Sequence, residues 1–344
     1  LFDAAYRNLF TFGPLDALLA DEAITELTID GFASIHVRHR MGRPEPVQSY
    51  FEDGGHLARI VGRILTGGGA QLREDEPFVE VGLTLLGRPA RLTLIGPPLS
   101  PVLHLDLRLH PAEATTFDGL RQGGAISEVD AAVLTALLAS SHGLLIAGDV
   151  AAGKTTLLEA LLPHVPDPAS AWLVARADEV RAPEAMPMHC VVPVTDAQPG
   201  VDFATQIATA LEHAPATLIA DELRGDEAGP ILAALAETDG PRCVFVLRAS
   251  PEPARLRSAF GILLRKGQPD VPQAWINDVL LERLPFVVIT RIDPAGLRVT
   301  GIGEWAAEAE GELTTLRWLV RDGVLSGARP RHALPGLDET FWTG

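Results

Sequence analysis

The sequence is short of cysteine, of basic residues and of long apolar runs, and each shortage excludes a class of protein. Two cysteines among 344 residues, Cys190 and Cys243, exclude a disulfide framework, and both are expected to be small buried apolar residues. Lysine and arginine number 28 against 45 aspartates and glutamates, which gives a net charge of −17. Because duplex binding depends on cations that neutralise phosphates, no nucleic-acid partner is expected.

The longest apolar stretch, AAVLTALLASSHGLLIAG, is interrupted at Ser140–Gly143 and predicts a helix, a break and a strand, not a membrane span. No secretory signal is visible, and the chain begins with Leu1, which raises the hypothesis of a missing upstream segment. With 47% hydrophobic and 21% charged residues, the chain is expected to fold into about two packed domains.

The pattern of the chain changes near residue 111. Residues 1–111 mix helical spacing with alternating strands, which predicts an N-terminal α+β domain. Turn residues dominate 112–125, which we interpret as a linker. Over 126–305 short apolar strands alternate with helices, which predicts an α/β domain with a mainly parallel sheet covered on both faces. The residues 306–344 form a C-terminal extension.

The stretch GDVAAGKTT matches the phosphate-binding pattern G-x-x-x-x-G-K-[ST] between an apolar strand and an amphipathic helix. Its glycines let backbone N–H groups converge on phosphate oxygens at a helix N-terminus. Lys154 is expected to reach the β/γ-phosphates, and the Thr155 hydroxyl to bind Mg²⁺. The alternative is a glycine turn that binds nothing. The predicted nucleotide-binding residues are Gly148, Asp149, Val150, Ala151, Ala152, Gly153, Lys154, Thr155 and Thr156.

A second apolar strand, in ATLIADELRG, ends in Asp221 and Glu222. Together with Thr155, these two carboxylates are the predicted Mg²⁺ ligands, and Glu222 is also expected to orient the attacking water. Lys154 and Glu222 are thus the predicted catalytic residues. The alternative is an acidic pair that caps the next helix. The arginines of the first domain are candidate phosphate contacts or simply parts of a solvated strand face.

These stretches together resemble the type II and type IV secretion and pilus ATPases, most closely the CpaF-like branch of tight-adherence (Tad) pili. The resemblance runs from Gly13 to about Trp305. It rests on GPLDALLADEAITELTIDG, GRPARLTLIGPPLS, LHLDLRLHP, TFDGLRQGGAIS, GDVAAGKTTLLEALL and HAPATLIADELRGDEA. It makes Arg91 and Arg108 the candidate phosphate contacts from the N-terminal domain.

This resemblance implies a RecA-like ATPase domain after the N-terminal α+β domain. It also implies ATP and Mg²⁺ as cofactors and a homo-oligomeric ring, usually of six subunits. The ring would drive pilus assembly or protein export through inner-membrane platform proteins. The implied location is cytoplasmic and peripheral to the inner membrane, through these protein partners.

Two stretches depart from the family pattern. The acidic box Glu-Asp-x-x-Glu-Leu reads ARADEV, so Ala175 and Arg176 replace the first pair and Glu179 alone matches. The histidine box Thr-x-His-Ala-Asn reads FVLRAS, which puts Arg248 at the histidine unless the register shifts by one or two residues. A positioned acid–base residue contributes about 10²–10⁴ in rate. The departures therefore predict weaker hydrolysis, with nucleotide binding less affected.

Two hypotheses follow from the sequence. The first is a secretion or pilus-assembly ATPase that couples MgATP hydrolysis to domain motion in a ring. The alternative is a nucleotide-binding ring component or regulatory partner with little or no hydrolysis. A small-molecule kinase with the same loop is a weaker third reading, because it leaves the N-terminal region unexplained.

Overall fold

The structure is a computed structural model that describes residues 11–40, 42–48, 50–237, 239–307 and 313–343. The chain divides into two compact units. The first unit comprises Leu1–Glu113, Arg176–Val180 and Cys190–Asp202, and the second comprises Ala114–Ala175, Arg181–His189 and Phe203–Gly344. Within the described ranges, no helix is long and apolar enough to cross a membrane.

The first unit is built on a six-stranded antiparallel sheet in the order β3-β2-β1-β6-β5-β4. Its strands are β1 Ile24–Asp30, β2 Ile35–His39, β3 Glu45–Pro46, β4 Phe78–Leu85, β5 Arg88–Ile95 and β6 His104–Leu109. A 3₁₀ turn, Gly13–Leu15, leads into helix α1, Asp16–Ala20, and helix α2, Gly54–Gly67, follows β3. The prediction of an N-terminal α+β domain is confirmed.

Alternation of apolar and polar residues gives this sheet one buried face and one polar face. In β6 the side chains of Leu105, Leu107 and Leu109 are buried, whereas those of Asp106 and Arg108 are partly exposed. Successive side chains of a strand point to opposite faces. The leucines therefore join the apolar core shared with α2, and Arg108 lies on the polar face.

The second unit is built on a nine-stranded sheet in the order β15-β14-β13-β12-β7-β11-β10-β8-β9. Its strands are β7 Leu144–Gly148, β8 Ala171–Ala175, β9 Met188–Cys190, β10 Thr217–Leu223, β11 Arg242–Arg248, β12 Phe286–Asp293, β13 Gly296–Ala307, β14 Leu313–Arg321 and β15 Val324–Leu325. The strands from β12 to β8 pair in parallel. The predicted mainly parallel α/β sheet is confirmed, as is the late hairpin, β12–β13.

Short helices connect these strands. They are α3 Phe117–Gln122, α4 Glu128–Ala139, α5 Lys154–Leu161, α6 Phe203–Glu212, α7 Ala228–Ala236, α8 Pro253–Gly267 and α9 Gln273–Asp278, which runs into a π-helical turn at Val279–Arg283. Helix α3 lies inside the stretch that turn residues mark as a linker. It forms because the Thr116 side chain accepts a hydrogen bond from Gly119 N, while Phe117 and Leu120 are buried.

The two cysteines differ in burial. Cys243 on β11 is buried, as predicted, and this burial raises the pKa of its thiol to about 12. Cys190 is only partly buried, so the prediction of a buried residue is wrong there. It ends β9 at the edge of the sheet, where neighbours cover one side of a strand only.

A buried carboxylate on β13 anchors the segment that follows β15. Glu304 is 0% exposed, and it accepts hydrogen bonds from the backbone N–H groups of Arg331 at 2.6 Å and His332 at 2.8 Å. The His332 Nδ1 atom lies 2.8 Å from the same carboxylate, and Arg317 of β14 donates to it at 3.2 Å. Because a buried charge needs such partners, this segment is packed as part of the second unit.

Candidate nucleotide-binding site

The GDVAAGKTT stretch forms the predicted strand, loop and helix. Strand β7 ends at Gly148 and α5 begins at Lys154, with Gly153 as the N-cap in a left-handed conformation at φ 79°. A Cβ on Gly148 would lie 2.6 Å from the carbonyl oxygen of Thr290, and one on Gly153 would lie 2.4 Å from Leu297 Cδ1. Packing against backbone thus requires a glycine at 148, and the left-handed backbone favours one at 153.

Lys154 is a buried cation at the start of α5. It is 7% exposed, and its Nζ donates a hydrogen bond to the carbonyl oxygen of Asp149 at 2.8 Å. Burial lowers the pKa of Lys154, against the opposing charges of Glu222 and Asp221, and the charge of Arg248 lowers this pKa further. An anion bound here would compensate a charge that burial disfavours.

The remaining loop residues complete a tight turn. The Asp149 side chain accepts a hydrogen bond from Val150 N at 2.9 Å, and the Asp149 carbonyl accepts one from Ala152 N at 3.3 Å. Ala151 has a left-handed backbone, with φ 54°. The nine predicted loop residues, Gly148–Thr156, thus run from the end of β7 through this turn into the start of α5.

The acidic pair lies beside this loop. Asp221 on β10 is buried, and both of its carboxylate oxygens lie 3.4 Å from Thr155 Oγ1. These distances are long for a hydrogen bond between oxygens. A hydroxyl and a carboxylate are hard oxygen donors of the kind that Mg²⁺ prefers. The residues present thus fit the predicted ion chemically.

Glu222 follows Asp221 at an irregular point of β10. The parallel pairing with β11 shifts register between Ala220 and Leu223, and Glu222 has a left-handed backbone at φ 61°. A bulge of this kind redirects a side chain. The Glu222 carboxylate forms an ion pair with Arg224, at 2.6 Å between Oε2 and Nη2.

Arg248 stands at the end of β11, and its backbone pairs with Gly148. Its charge is among the causes that lower the pKa of Lys154. The side chain at the predicted histidine-box position is therefore an exposed cation electrostatically coupled to the loop lysine.

The predicted arginine contacts lie in the first unit, next to one another. Arg91 on β5 pairs directly across from Arg108 on β6. Arg91 is buried and donates to Glu80 at 2.8 Å and to Glu179 at 3.0 Å. The His110 ring reaches the other oxygen of Glu179 at 2.9 Å. Glu179, the one match to the acidic box, thus forms ion pairs inside the first unit.

Sequence reasoning missed two charged residues that contact the turn after Glu222. Glu227 is fully buried, and its carboxylate accepts hydrogen bonds from the N–H groups of Arg224 and Gly225. Lys266, on α8, donates to the carbonyl oxygen of Arg224. Glu227 stands inside the recognised stretch HAPATLIADELRGDEA, but the sequence carries no signal for Lys266, which lies 42 positions from Arg224.

Comparisons with known proteins agree with this fold. Residues 79–244 match the family described as type II/IV secretion system protein. Conjugal transfer proteins from two strains of Mycobacterium tuberculosis are 25% identical over 331 residues, covering 94% of this chain and 92% of each relative. Among solved structures, the ATPase DotB of Legionella pneumophila is 15% identical with a TM-score of 0.56, covering 88% of this chain and 82% of that one.

The pilus retraction motor PilT, solved with bound ADP, is 17% identical with a TM-score of 0.57, covering 84% of this chain and 81% of that one. At these identities the structures show a common fold. The family model thus matches residues 79–244 of the chain, and the solved ATPases share its fold.

Proposed function

We propose that the chain is a secretion or pilus-assembly ATPase subunit, of the CpaF-like Tad branch, that binds and hydrolyses MgATP. One observation carries the proposal: a buried Lys154 at a helix N-terminus, within a glycine loop, lies next to the Thr155–Asp221 oxygens. This combination provides a cationic phosphate cradle and a hard-oxygen pair in one place. A glycine turn that binds nothing gives no reason to bury a lysine.

In this proposal the loop N–H groups and the start of α5 bind the phosphates, and Lys154 compensates the charge on the β/γ-phosphate oxygens. Thr155, Asp221 and Glu222 are the proposed holders of Mg²⁺, which supplies charge compensation between the phosphates when bound. Glu222 Oε accepts a hydrogen bond from the attacking water and orients it. Water oxygen bonds to the γ-phosphorus as the bridging P–O bond breaks, ADP leaves, and the proton of the water is released with the phosphate.

Arg91 and Arg108 remain proposed phosphate contacts from the first unit, on the strength of the resemblance. Arg91 would have to exchange Glu80 and Glu179 for phosphate oxygens. Arg108 is partly exposed on the polar sheet face and is the more direct candidate.

The proposed assembly is a homo-oligomeric ring, of six subunits by resemblance, that acts on inner-membrane platform proteins. We propose a cytoplasmic location, peripheral to the inner membrane through those partners. The net charge of −17 supports protein partners over nucleic acid.

A second candidate function is a nucleotide-binding ring component with little hydrolysis. Two ion pairs favour it: Glu222 is paired with Arg224 at 2.6 Å, and Glu179 is paired with Arg91 at 3.0 Å. A carboxylate held by a guanidinium is a weaker acceptor for water than one that faces solvent.

Steady-state phosphate release separates the two candidates. The purified chain is expected to exceed Lys154→Ala by at least about 10²-fold, the usual loss when one electrostatic stabiliser is removed. The surface variant Arg255→Ala is the control, because Arg255 makes only an exposed pair with Glu252 in the described structure. Equal background rates for the unchanged chain and Lys154→Ala, with ATP still bound by the former, would establish the second candidate.

A further inference from the structure

The turn after β10 holds Glu222 in a backbone conformation that a glutamate rarely adopts. Glu222 has φ 61°, and Gly225, three residues later, has φ 105°. Left-handed backbone at a non-glycine residue persists only where surrounding contacts enforce it. Two charged side chains contact the residues that follow Glu222.

Glu227 is a buried side chain that binds the turn at Arg224 and Gly225. Its side chain is 0% exposed, and Oε1 accepts hydrogen bonds from Arg224 N at 2.8 Å and Gly225 N at 2.9 Å. Hydrogen bonds to an ionised carboxylate are about twice as strong as neutral ones. Two adjacent N–H groups that meet one oxygen fix the orientation of both peptide planes.

Lys266, on α8, contacts the same turn. Its Nζ donates to the carbonyl oxygen of Arg224 at 2.8 Å. A Cβ on Gly225 would lie 2.4 Å from Lys266 Cδ, so the absence of a side chain at this glycine makes room for the lysine stem. The peptide units around Arg224 are thus bound by a carboxylate and by an ammonium.

We propose that Glu227 and Lys266 are positioning residues for Glu222: by fixing the turn two to three residues after it, they aim its carboxylate. The inference rests on the proposed function, in which Glu222 orients the attacking water. Loss of the contacts leaves the loop residues and Lys154 unchanged, so nucleotide binding persists. A displacement of about 1 Å at a reacting group lowers rate about 10²-fold, so turnover falls.

The test compares variants that remove the contacts with one that retains them. Glu227→Leu removes the acceptor, whereas the amide oxygen of Glu227→Gln can accept the same two N–H groups without the charge. We expect kcat to fall about 10²-fold in Glu227→Leu and less than about 10-fold in Glu227→Gln. The Kd for a fluorescent ATP analogue is expected to stay within about threefold in both.

Glu227 is buried, so Glu227→Leu could fail to fold. Lys266 is exposed, so Lys266→Met tests the same turn without this risk. Its kcat is expected to fall about 10-fold, and Arg255→Met, the same charge change on the same helix, serves as the matched control. Tryptophan fluorescence verifies that each variant is folded.

Three outcomes would overturn the inference, and they differ from one another. If the Lys266 and Arg255 variants have equal kcat while the parent chain is active, the positioning role is wrong and the proposed function stands. If kcat and affinity fall together, the two residues support the fold generally. If the parent chain is no faster than Lys154→Ala, the proposed function itself fails, and the inference with it.

Discussion

Arg91 in the first unit and Lys154 in the second are both buried cations, and they have different surroundings. Arg91 in the first unit is paired with two carboxylates, Glu80 at 2.6 Å and Glu179 at 3.0 Å. Lys154 in the second unit donates to a backbone carbonyl, that of Asp149, and burial lowers its pKa. Both are almost fully buried, so burial alone does not distinguish them.

The difference lies in how the charge is compensated. A buried cation paired directly with carboxylates is satisfied by the fold itself, and breaking the pair leaves an uncompensated charge. Burial lowers the pKa of Lys154 although the charges of Glu222 and Asp221 oppose this, so a bound anion would further stabilise its charged form. We therefore expect Arg91 to stabilise the first unit even without nucleotide, whereas the charge of Lys154 is fully compensated only with phosphate bound.

The largest expected effect is on stability, and it comes from removing the guanidinium of Arg91. Arg91→Met leaves Glu80 and Glu179 without their buried partner and is expected to lower the free energy of unfolding of the first unit by about 3–5 kcal/mol. All five tryptophans lie in the second unit. The urea midpoint measured by circular dichroism should thus fall, whereas the midpoint measured by tryptophan fluorescence should not change.

Arg73→Met is the matched control, because Arg73 pairs with Asp75 and Asp196 in the same unit at exposed positions. Exposed pairs contribute little. If Arg91→Met leaves stability unchanged but weakens ATP binding, Arg91 is a phosphate contact and the contrast between the two cations is wrong.

A smaller effect on stability is expected from removing the charge of Lys154. Lys154→Met is expected to raise the free energy of unfolding of the second unit by about 1 kcal/mol at neutral pH, because it removes a buried charge. As pH rises through the lowered pKa of Lys154 toward its ordinary value of 10.5, the unfolded chain binds more protons than the folded one. The parent chain then gains stability, and the difference should shrink. A variant less stable than the parent at every pH would contradict this interpretation.

The smallest expected effect is proton uptake when nucleotide binds. Bound triphosphate favours the charged form of Lys154, so it is expected to raise the lowered pKa of this group and to draw a fraction of a proton from an alkaline buffer. Calorimetry in two buffers of different ionisation enthalpy measures this uptake. Lys154→Arg should show none, since a guanidinium stays protonated. Equal uptake by both proteins would assign the proton to another group.

Local patterns predicted the parts of the site that are local in the chain. The glycine loop, Lys154 and the Asp221–Glu222 pair follow from residues within one strand, turn or helix, where spacing and chemistry coincide. The mainly parallel sheet followed from strand–helix alternation for the same reason.

Contacts between distant segments were not predictable. Glu179 lies 88 positions from Arg91, and Lys266 lies 42 from Arg224; no periodicity connects such pairs. The irregularity at Glu222 was also not predictable, since no residue type announces a left-handed backbone at a glutamate. In each case the sequence shows a charged residue but not the partner that decides its role.

Glu304 has a practical consequence for anyone who shortens this chain. Its carboxylate lies wholly inside the sheet, and two of its hydrogen bonds come from the backbone of residues 331 and 332. Deletion from residue 330 onward would leave that charge buried without them. We therefore expect a fragment ended after β15 to be less stable than the full chain and more readily cleaved by protease.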